Sequence, residues 1–453
     1  MQTGEGNGPN TAAEPTEVPL QLSNIKALVE KVYVDGLGRT KDDLVIKTVR
    51  ELFEAGDFQQ VVLKSQEVRS KLEKLGCFKN VGVFIDTSRG EDASSNGLEI
   101  TFSVKELKRV LGGITTLVGN NEGSLVIKSN LPNTFGRGEN LQVEYTYGTK
   151  QSKGFNGMFI KPLHNKANTI LTSSFYQKNS EWVTSGYHLC EQGISLDASF
   201  DSVPLVRHNL QWEGIWRELS CQSRTTAFPV REQAGHSLKS ALRHMIHFDN
   251  RDSTIFSSRG TLFQMVQELA GIGGDVGFIK HELNYQLNVP VTNDVVIQGS
   301  FQGGFMKRLN DEKLIYICDR FFLGGPHTIR GFEQRGIGPQ SDNQALGAQG
   351  YWAAGLHLYT PLPFKPGQGG IGDILRTHFF VNAGNIDNFD FSDNLKESAR
   401  ILTDRYRLSY GMGLMLRLGT TARIELNYCV PIRSQRGDRT HHGVQVAVGV
   451  QFL

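Results

Sequence analysis

The residues best suited to binding chemistry lie in one stretch, 321–332, which reads Phe-Phe-Leu-Gly-Gly-Pro-His-Thr-Ile-Arg-Gly-Phe. Arg330 carries a permanent charge on a planar fork of hydrogen-bond donors. Because its neighbours in the chain are apolar or small, we expect the guanidinium to require an acidic or strongly accepting partner. The alternative is a surface turn with a solvated arginine. The candidate residues of this loop motif are Phe322, Gly324, Gly325, Ile329, Arg330, Gly331 and Phe332.

The sequence contains no recognisable active site beside this motif. His441 and His442 are adjacent, so in a strand their side chains point to opposite faces and cannot share one metal ion. None of the spacings HExxH, GxSxG or GxxxxGK[ST] occurs, and no GxGxxG stands between a strand and a helix. The run Gly271–Gly274 is interpreted as a hairpin connection. We therefore predict that the protein is not an enzyme and has no catalytic residue, no metal and no cofactor.

Composition excludes further classes of protein. The formal net charge is only +2, so no electrostatic argument favours a nucleic acid as partner. The five cysteines are far apart and form no CxxC pair, which argues against a disulfide framework and favours a reducing compartment. Residues 1–20 have neither an apolar core nor an Arg-rich amphipathic pattern, so we expect no secretory signal and no presequence. No apolar run is long enough for a transmembrane helix.

The predicted secondary structure around the loop motif differs between the N-terminal part and the rest of the chain. Residues 1–26 are rich in Gly, Asn, Thr, Glu and Pro, a composition typical of a disordered tail. Residues 27–106 predict a small α+β domain with the order β-α-α-β-β. Thr40 is placed as the N-cap of its first helix. The predicted core stripes of the two helices are Val45, Val49, Leu52 and Phe53, then Val61, Val68, Leu72 and Leu75.

From residue 107 onward, apolar and polar residues alternate in runs of about ten residues. Clear examples are 408–418, 424–430 and 444–452. A soluble β-sandwich also alternates, but its strands average about 5–6 residues. Run length, together with aromatic residues near the predicted strand ends (Tyr147, Tyr359 and Phe452), favours a transmembrane β-barrel whose apolar side chains face lipid.

Two stretches of this region stand apart from the other runs. The first strand is placed at 112–119, where many glycines leave register and pairing weakly specified. The segment at about 309–346 shows no strand pattern but contains the loop motif, and a segment of that length usually has a function. The candidate residues of the first strand are Ile114, Thr115, Thr116, Leu117, Val118 and Gly119.

The loop motif resembles that of a known family. Phe322-Leu323-Gly324-Gly325 followed by Ile329-Arg330-Gly331-Phe332 is similar to the (V/I)-R-G-(F/Y) motif of the POTRA-plus-barrel, BamA-like assembly factors of outer membranes. The resemblance covers roughly residues 27–453 and points to the mitochondrial branch, the central barrel subunit of the sorting and assembly machinery. Supporting stretches are Asp35–Asp43, Leu356–Phe364 and Leu426–Pro431.

This resemblance implies a mainly β fold. One POTRA domain, residues 27–106, would precede a 16-stranded antiparallel transmembrane β-barrel, residues 107–453. The segment at about 309–346 would fold back into the barrel lumen.

In relatives the motif arginine meets an aspartate within an F-x-D-x-G pattern. Here the matching stretch, Phe380–Gly384, has asparagine at that position. Asn382 can accept only a weaker hydrogen bond than a carboxylate. Glu425, on the polar face of a later strand, is therefore a second candidate partner of Arg330.

The resemblance also implies a function: folding and insertion of β-barrel precursors into the mitochondrial outer membrane. The first strand would template the β-signal strand of the client at a lateral gate between the first and last barrel strands. Candidate gate residues of the last strand are Gly443, Val444, Val446, Val448 and Val450. Residues 441–448 themselves resemble such a β-signal.

The implied partners are porin-type and translocase-pore precursors, metaxin-like peripheral subunits, a cristae-organising inner-membrane complex and the lipid bilayer. The POTRA domain would lie in the intermembrane space. Two alternatives belong to other classes: a passive porin-like channel, or a structural tether for cristae-organising complexes.

Overall fold

The computed structural model describes residues 25–89, 94–119, 122–149, 152–163, 168–292, 294–361, 370–388, 400, 402–419 and 422–453. Of the predicted tail, residues 1–24 lie outside this described part. The chain divides into two compact units. The first reaches Arg109 and also includes Pro132–Gly138, and the second contains Val110–Leu131 and Glu139–Leu453. The first unit thus extends past the expected boundary at 106 and includes a segment that no sequence pattern assigned to it.

The first unit is a small α+β domain with the predicted element order. Its elements are β1 (Leu28–Asp35), α1 (Asp42–Val49), a 3-10 helix (Arg50–Glu54), α2 (Phe58–Lys74), β2 (Phe78–Thr87) and β3 (Gly97–Glu106). β3 lies in the middle of the sheet, parallel to β1 and antiparallel to β2. Both helices contribute to one apolar core, which contains all the predicted stripe residues except Phe53.

Two predictions about the first helix were wrong. The helix begins at Asp42, and Lys41 rather than Thr40 occupies the N-cap position. Phe53 is 46% exposed. It lies in the 3-10 helix, where three residues per turn instead of 3.6 rotate it off the core face.

The Thr40 hydroxyl instead donates a hydrogen bond of 2.7 Å to the carboxylate of Glu106. The same carboxylate oxygen accepts the backbone N–H groups of Gly38 (3.1 Å), Arg39 (2.9 Å) and Thr40 (2.8 Å). Burial alone would raise the pKa of Glu106, but the hydrogen bonds from Thr40, Gly38 and Arg39 outweigh it and lower that pKa to about 2. One ionised carboxylate therefore holds the turn that follows β1.

Because the turn binds the ionised form, this contribution to folding is complete above the ordinary glutamate pKa of 4.5 and is lost as pH falls toward 2. We expect Glu106→Gln to flatten the pH dependence of the free energy of unfolding between about pH 5 and 2. Urea denaturation of the full chain, followed by circular dichroism, measures this. Glu67→Gln, at an exposed position on α2, is the control. An unchanged pH profile in the Glu106 variant would contradict the assignment.

The second unit is a 16-stranded antiparallel sheet, which confirms the predicted fold class. Its strands are β4 (Leu111–Gly119), β5 (Glu122–Pro132), β6 (Asn140–Gly148), β7 (Lys153–Pro162), β8 (Ile170–Trp182), β9 (Tyr187–Val203), β10 (Val206–Cys221), β11 (Gly235–Asp249), β12 (Gly260–Gly274), β13 (Phe278–Pro290), β14 (Val296–Arg308), β17 (Gly350–Thr360), β18 (Leu375–Asp387), β19 (Arg407–Leu418), β20 (Ala422–Arg433) and β21 (Gly443–Gly449). The connection from β14 to β17 contains a separate small hairpin of β15 (Gln340–Ser341) and β16 (Gln344–Ala345). From β5 onward, each strand of the large sheet pairs with the strand of that sheet that precedes it in the chain.

The side chains of the large sheet are arranged in the opposite way to those of a soluble protein. On β20, Arg423, Glu425 and Asn427 are buried, whereas Leu426 and Tyr428 are about half exposed. Exposed apolar rows of this kind are stable when they face lipid, and the polar rows then line the barrel interior. No helix in the described ranges is long and apolar enough to cross a membrane.

The structure corrects three details of the predicted strands. Tyr359 is buried because it has the inward parity of β17, while Leu356 and Leu358 face outward. β21 ends at Gly449, so Phe452 leaves the sheet and is also buried. Gly271–Gly274 forms the end of β12 rather than a connection.

The two edges of the sheet are β4 and β21. β4 pairs with β5 along its whole length, and β21 pairs with β20 from Gly443 to Gly449. Among the described residues, no ladder joins β4 to β21. In this part of the chain, the first and last barrel strands therefore each have one edge without a backbone ladder, and these two edges lie near each other.

Candidate functional site

The segment between β14 and β17, called here the inner loop (309–349), folds into the barrel interior. Its apolar residues pack against inward-facing side chains of the strands. The buried loop residues of this cluster are Ile315, Phe321, Leu323, Ile329, Phe332, Ile337 and Ala348. A loop with its own core is held in one position, which a solvated surface turn is not.

Arg330 stands at the centre of this arrangement and is completely buried. Its Nε and Nη2 donate to one oxygen of Glu425 at 3.2 and 2.8 Å, and its Nη1 donates to Asn382 at 3.3 Å. Its guanidinium also lies 5.1 Å from the centre of the Phe380 ring. Both candidate partners thus contact Arg330, and the shorter bonds go to the carboxylate of Glu425.

Glu425 has more charged partners than Arg330. Its second oxygen lies 2.9 Å from Nη2 of Arg423, and the Asn427 amide donates to the first oxygen at 2.9 Å. Two buried arginines therefore share one buried carboxylate. Because desolvating charges is costly, such a cluster tolerates the loss of any one member poorly.

The loop motif also binds the last strand and the residues before it through backbone groups. Gly331 N donates to the Gln445 side chain (2.9 Å), and that side chain donates to the Phe332 carbonyl (2.9 Å). His441 N donates to the Gly331 carbonyl at 2.9 Å. Gly331 has φ +84°, and a Cβ there would lie 3.3 Å from Cβ of Ser409. The glycine is needed both for its conformation and for this close approach.

A tight turn sets the direction of Arg330. Gly325 N donates to the Ile329 carbonyl (3.2 Å), and Gly324 N donates to the Thr328 hydroxyl (3.1 Å). A Cβ on Gly324, at φ +103°, would lie 2.9 Å from the Glu333 carbonyl oxygen. These contacts explain why two adjacent glycines precede the arginine.

A second ionic anchor, which sequence reasoning missed, holds the inner loop to the opposite wall. Asp319 accepts hydrogen bonds from Arg217 on β10 (2.9 Å) and from Lys239 on β11 (3.0 Å). Lys239 also pairs with Glu268 on β12, and Arg217 pairs with Glu191 on β9 at 3.2 Å. Asp319 is 5% exposed. The alternation of the strands predicted that these residues face inward but could not identify their partner in the loop.

A third contact involves Arg335, which follows the loop motif in the chain. The Arg335 guanidinium lies between the Trp182 and Phe322 rings, at 3.7 and 3.8 Å from their centres. It also donates to the Ser185 hydroxyl at 2.9 Å. Phe322 thus serves as a stacking platform.

The chain end that follows β21 turns toward the inner loop. Leu453 N donates to the His327 carbonyl at 3.0 Å, and the His327 and Phe452 rings are stacked with centres 4.9 Å apart. The Phe452 ring lies 4.4 Å below the Arg423 guanidinium. This polar cluster draws the last residues inward and ends the strand before the predicted position.

The predicted gate residues lie on the two edge strands. On β4, Ile114 is 70% exposed, and Thr115 and Thr116 are also exposed. Leu117, Val118 and Gly119 complete the strand. On β21, Val444, Val446 and the following Val450 are exposed, Val448 is half-buried, and Gly443 begins the strand at φ +111°.

In the described part of the chain, no three His, Cys, Asp or Glu side chains are grouped as a metal site requires. Buried ion pairs hold the inner loop inside the barrel, and backbone and side-chain hydrogen bonds join it to the last strand and the segment before it.

Comparison with known proteins gives the family of this architecture. The Omp85 superfamily domain matches residues 133–452. The sorting and assembly machinery component 50 homolog of Mus musculus is 47% identical over 97% of this chain and 93% of its own length. The homolog of Homo sapiens is also 47% identical, with the same coverage.

Among solved structures, BamA from Haemophilus ducreyi lacking POTRA domains 1–3 shares the fold. Its TM-score is 0.75 at 18% identity, and the match covers 93% of this chain and 84% of that one. Because family profile, sequence relatives and fold agree, the chain belongs to the Omp85 superfamily, within the group of sorting and assembly machinery component 50 homologues.

Proposed function

We propose that this chain folds β-barrel precursors and inserts them into the mitochondrial outer membrane. The observation that carries the proposal is the pair of unpaired strand edges, β4 and β21, beside an inner loop that is braced by buried ion pairs. The relatives named as sorting and assembly machinery components support the same role.

Insertion of a client strand requires backbone hydrogen bonds between that strand and a barrel strand. A client strand cannot enter lipid alone because its N–H and C=O groups would remain unpaired there. An open edge accepts such a strand by β-augmentation. In this proposal the edge of β4 templates the β-signal strand of the client, and hairpins accumulate at the gate until the new barrel closes and leaves. Backbone pairing and apolar burial supply the free energy, so no nucleotide is needed.

The inner loop supports the gate from inside. Glu333 N donates to the Arg439 carbonyl (3.0 Å), and Arg439 N donates to the Gly336 carbonyl (2.8 Å). These bonds, with those of Gly331, connect the loop to the segment before β21. A rigid loop would keep β21 in place while the weaker β4 exchanges partners.

The remaining assignments belong to the same proposal. The clients are porin-type and translocase-pore precursors, and metaxin-like subunits and a cristae-organising complex are partners. The POTRA domain faces the intermembrane space and receives precursors. A passive porin-like pore or a tether would leave the anchoring of the inner loop without a role.

Crosslinking between the first strand and a client tests this mechanism. Thr116→Cys, in a full chain without its five native cysteines, is combined with single cysteines along the last strand of an arrested precursor. We expect crosslinks that recur every second residue of the client, because strand side chains alternate between faces. Ile127→Cys on β5, at a position already paired with β4, is the control and should give none. Normal insertion without Thr116 crosslinks would exclude templating and favour a pore or a tether.

A further inference from the structure

A second segment folds into the barrel interior from the end opposite the inner loop. It is the turn between β11 and β12, residues 250–259, called here the inner turn. Successive connections of an antiparallel barrel alternate between its two ends, which places this turn and the inner loop at different ends. Ile255 and Phe256 are 2% and 6% exposed and pack with Val296, Tyr359 and Met415. Turns normally run over the surface, so this burial needs a cause.

The inner turn has a defined conformation of its own. The Asp252 side chain accepts the backbone N–H groups of Ser258 (2.9 Å) and Arg259 (3.3 Å). Gly260 has φ +103°, and a Cβ there would lie 2.1 Å from the Asn250 carbonyl oxygen. These contacts give the turn one defined backbone conformation.

Arg423 connects this turn to the rest of the interior. Its Nη1 donates to the Ile255 carbonyl at 3.2 Å, while its Nη2 lies 2.9 Å from Glu425. Its guanidinium covers the Phe452 ring at 4.4 Å. One buried side chain thus touches the inner turn, the carboxylate that binds Arg330, and the chain end that follows β21.

We propose that Arg423 is a positioning residue that couples the inner turn to the end of the last strand. When the turn occupies its seat, the Ile255 carbonyl and Glu425 hold the guanidinium over Phe452, and Val450–Leu453 stay folded inward. When the turn leaves, Nη1 loses its acceptor and the guanidinium reorients, so Phe452 loses the nearer of its two arginines and keeps Arg330 at 5.7 Å and the stacked His327 ring. The chain end is then held only by its contacts with the inner loop, becomes more mobile and extends the edge of β21 more often. The consequence for client assembly rests on the function proposed above, but the coupling itself does not.

A spin label at Val450→Cys, in the full chain without native cysteines and reconstituted in lipid vesicles, reports the release. Val450 is 45% exposed, so the label fits without displacing the core. We expect the double substitution Ile255→Gly/Phe256→Gly, and separately Arg423→Gln, each to raise the ratio of mobile to immobile label roughly tenfold, as loss of a desolvated cation–π contact predicts. The combined variant should be no more mobile than either alone, because both break one chain of contacts.

Two control variants accompany the spin-label measurement. Val291→Gly changes an exposed residue in the neighbouring turn at the same end and should leave the label immobile. Arg423→Lys keeps the charge beside Glu425 but not the fork, and should give an intermediate ratio even where the glutamine variant does not fold. An immobile Val450 label in the inner-turn variant, or additive effects in the combined variant, would overturn the coupling. The readout uses no client, so it is independent of the crosslinking test.

Discussion

Glu425→Ala is expected to destabilise the protein more than Arg330→Ala, although Arg330 is the motif residue. Removing Glu425 leaves Arg330 and Arg423 both buried without a carboxylate, a loss of about 3–5 kcal/mol for an uncompensated buried charge. Removing Arg330 leaves Glu425 paired with Arg423 and Asn427, so we expect about 1–3 kcal/mol, the value of hydrogen bonds to a charged group. Urea unfolding in lipid vesicles measures both free energies.

Glu312→Ala, at an exposed position of the inner loop, is the matched control and should change stability by less than about 0.5 kcal/mol. The double variant Arg330→Ala/Glu425→Ala should cost less than the sum of the single variants, because the two residues interact directly. Equal or reversed effects of the single variants would refute the shared-carboxylate arrangement. Under the proposed function, the order of severity for accumulation of unassembled barrel precursors is the same.

Asp319→Asn is expected to have the second largest effect. The substitution removes the negative charge that Arg217 and Lys239 share, but Arg217 keeps Glu191 and Lys239 keeps Glu268. The expected loss in the free energy of unfolding is therefore about 2–3 kcal/mol, smaller than for Glu425→Ala. The N-terminal half of the inner loop should also open more often, because Asp319 makes its ionic contacts with β10 and β11.

Hydrogen exchange of the inner-loop amides, detected by mass spectrometry, distinguishes a local from a global effect. Faster exchange at 309–323 with unchanged exchange in β10 and β11 is the expected pattern. Asp311→Asn, at an exposed loop position, is the control and should leave exchange unchanged. If Asp319→Asn changes neither stability nor loop exchange, the second anchor does not restrain the loop.

Several features could be predicted because they depend on local patterns. The helical stripes of the first unit and the alternation after residue 107 follow from periodicities of about 3.6 and 2, which a linear sequence displays directly. Two predictions for the first unit failed, one because the helix geometry changed and one because a residue distant in the chain supplied the partner. Phe53 left the core face when the helix tightened, and Thr40 bound a carboxylate 66 residues away instead of capping its neighbour.

The loop motif predicted that Arg330 would have an acidic or strongly accepting partner, and its glycines predicted tight turns. The partner was harder to identify, because the relevant residues lie far apart in the chain. Glu425 is 95 residues from Arg330, and Arg217 is 102 residues from Asp319. Alternation shows that such a residue faces inward, but every polar residue of a barrel strand does so, and nothing local distinguishes those that meet the loop.

Local sequence patterns predicted the alternating strands, most of their inward and outward faces and the small α+β domain, because each depends on neighbours a few residues apart, whereas the fold of the loop into the lumen was implied by the family resemblance. The three-dimensional arrangement was needed to find that Glu425 is shared by two arginines, that Asp319 anchors the loop to the opposite wall, and that the chain end folds inward onto Arg423. The physical reason is that buried charges must be paired, and curvature of the sheet, which no short stretch encodes, determines which charges meet.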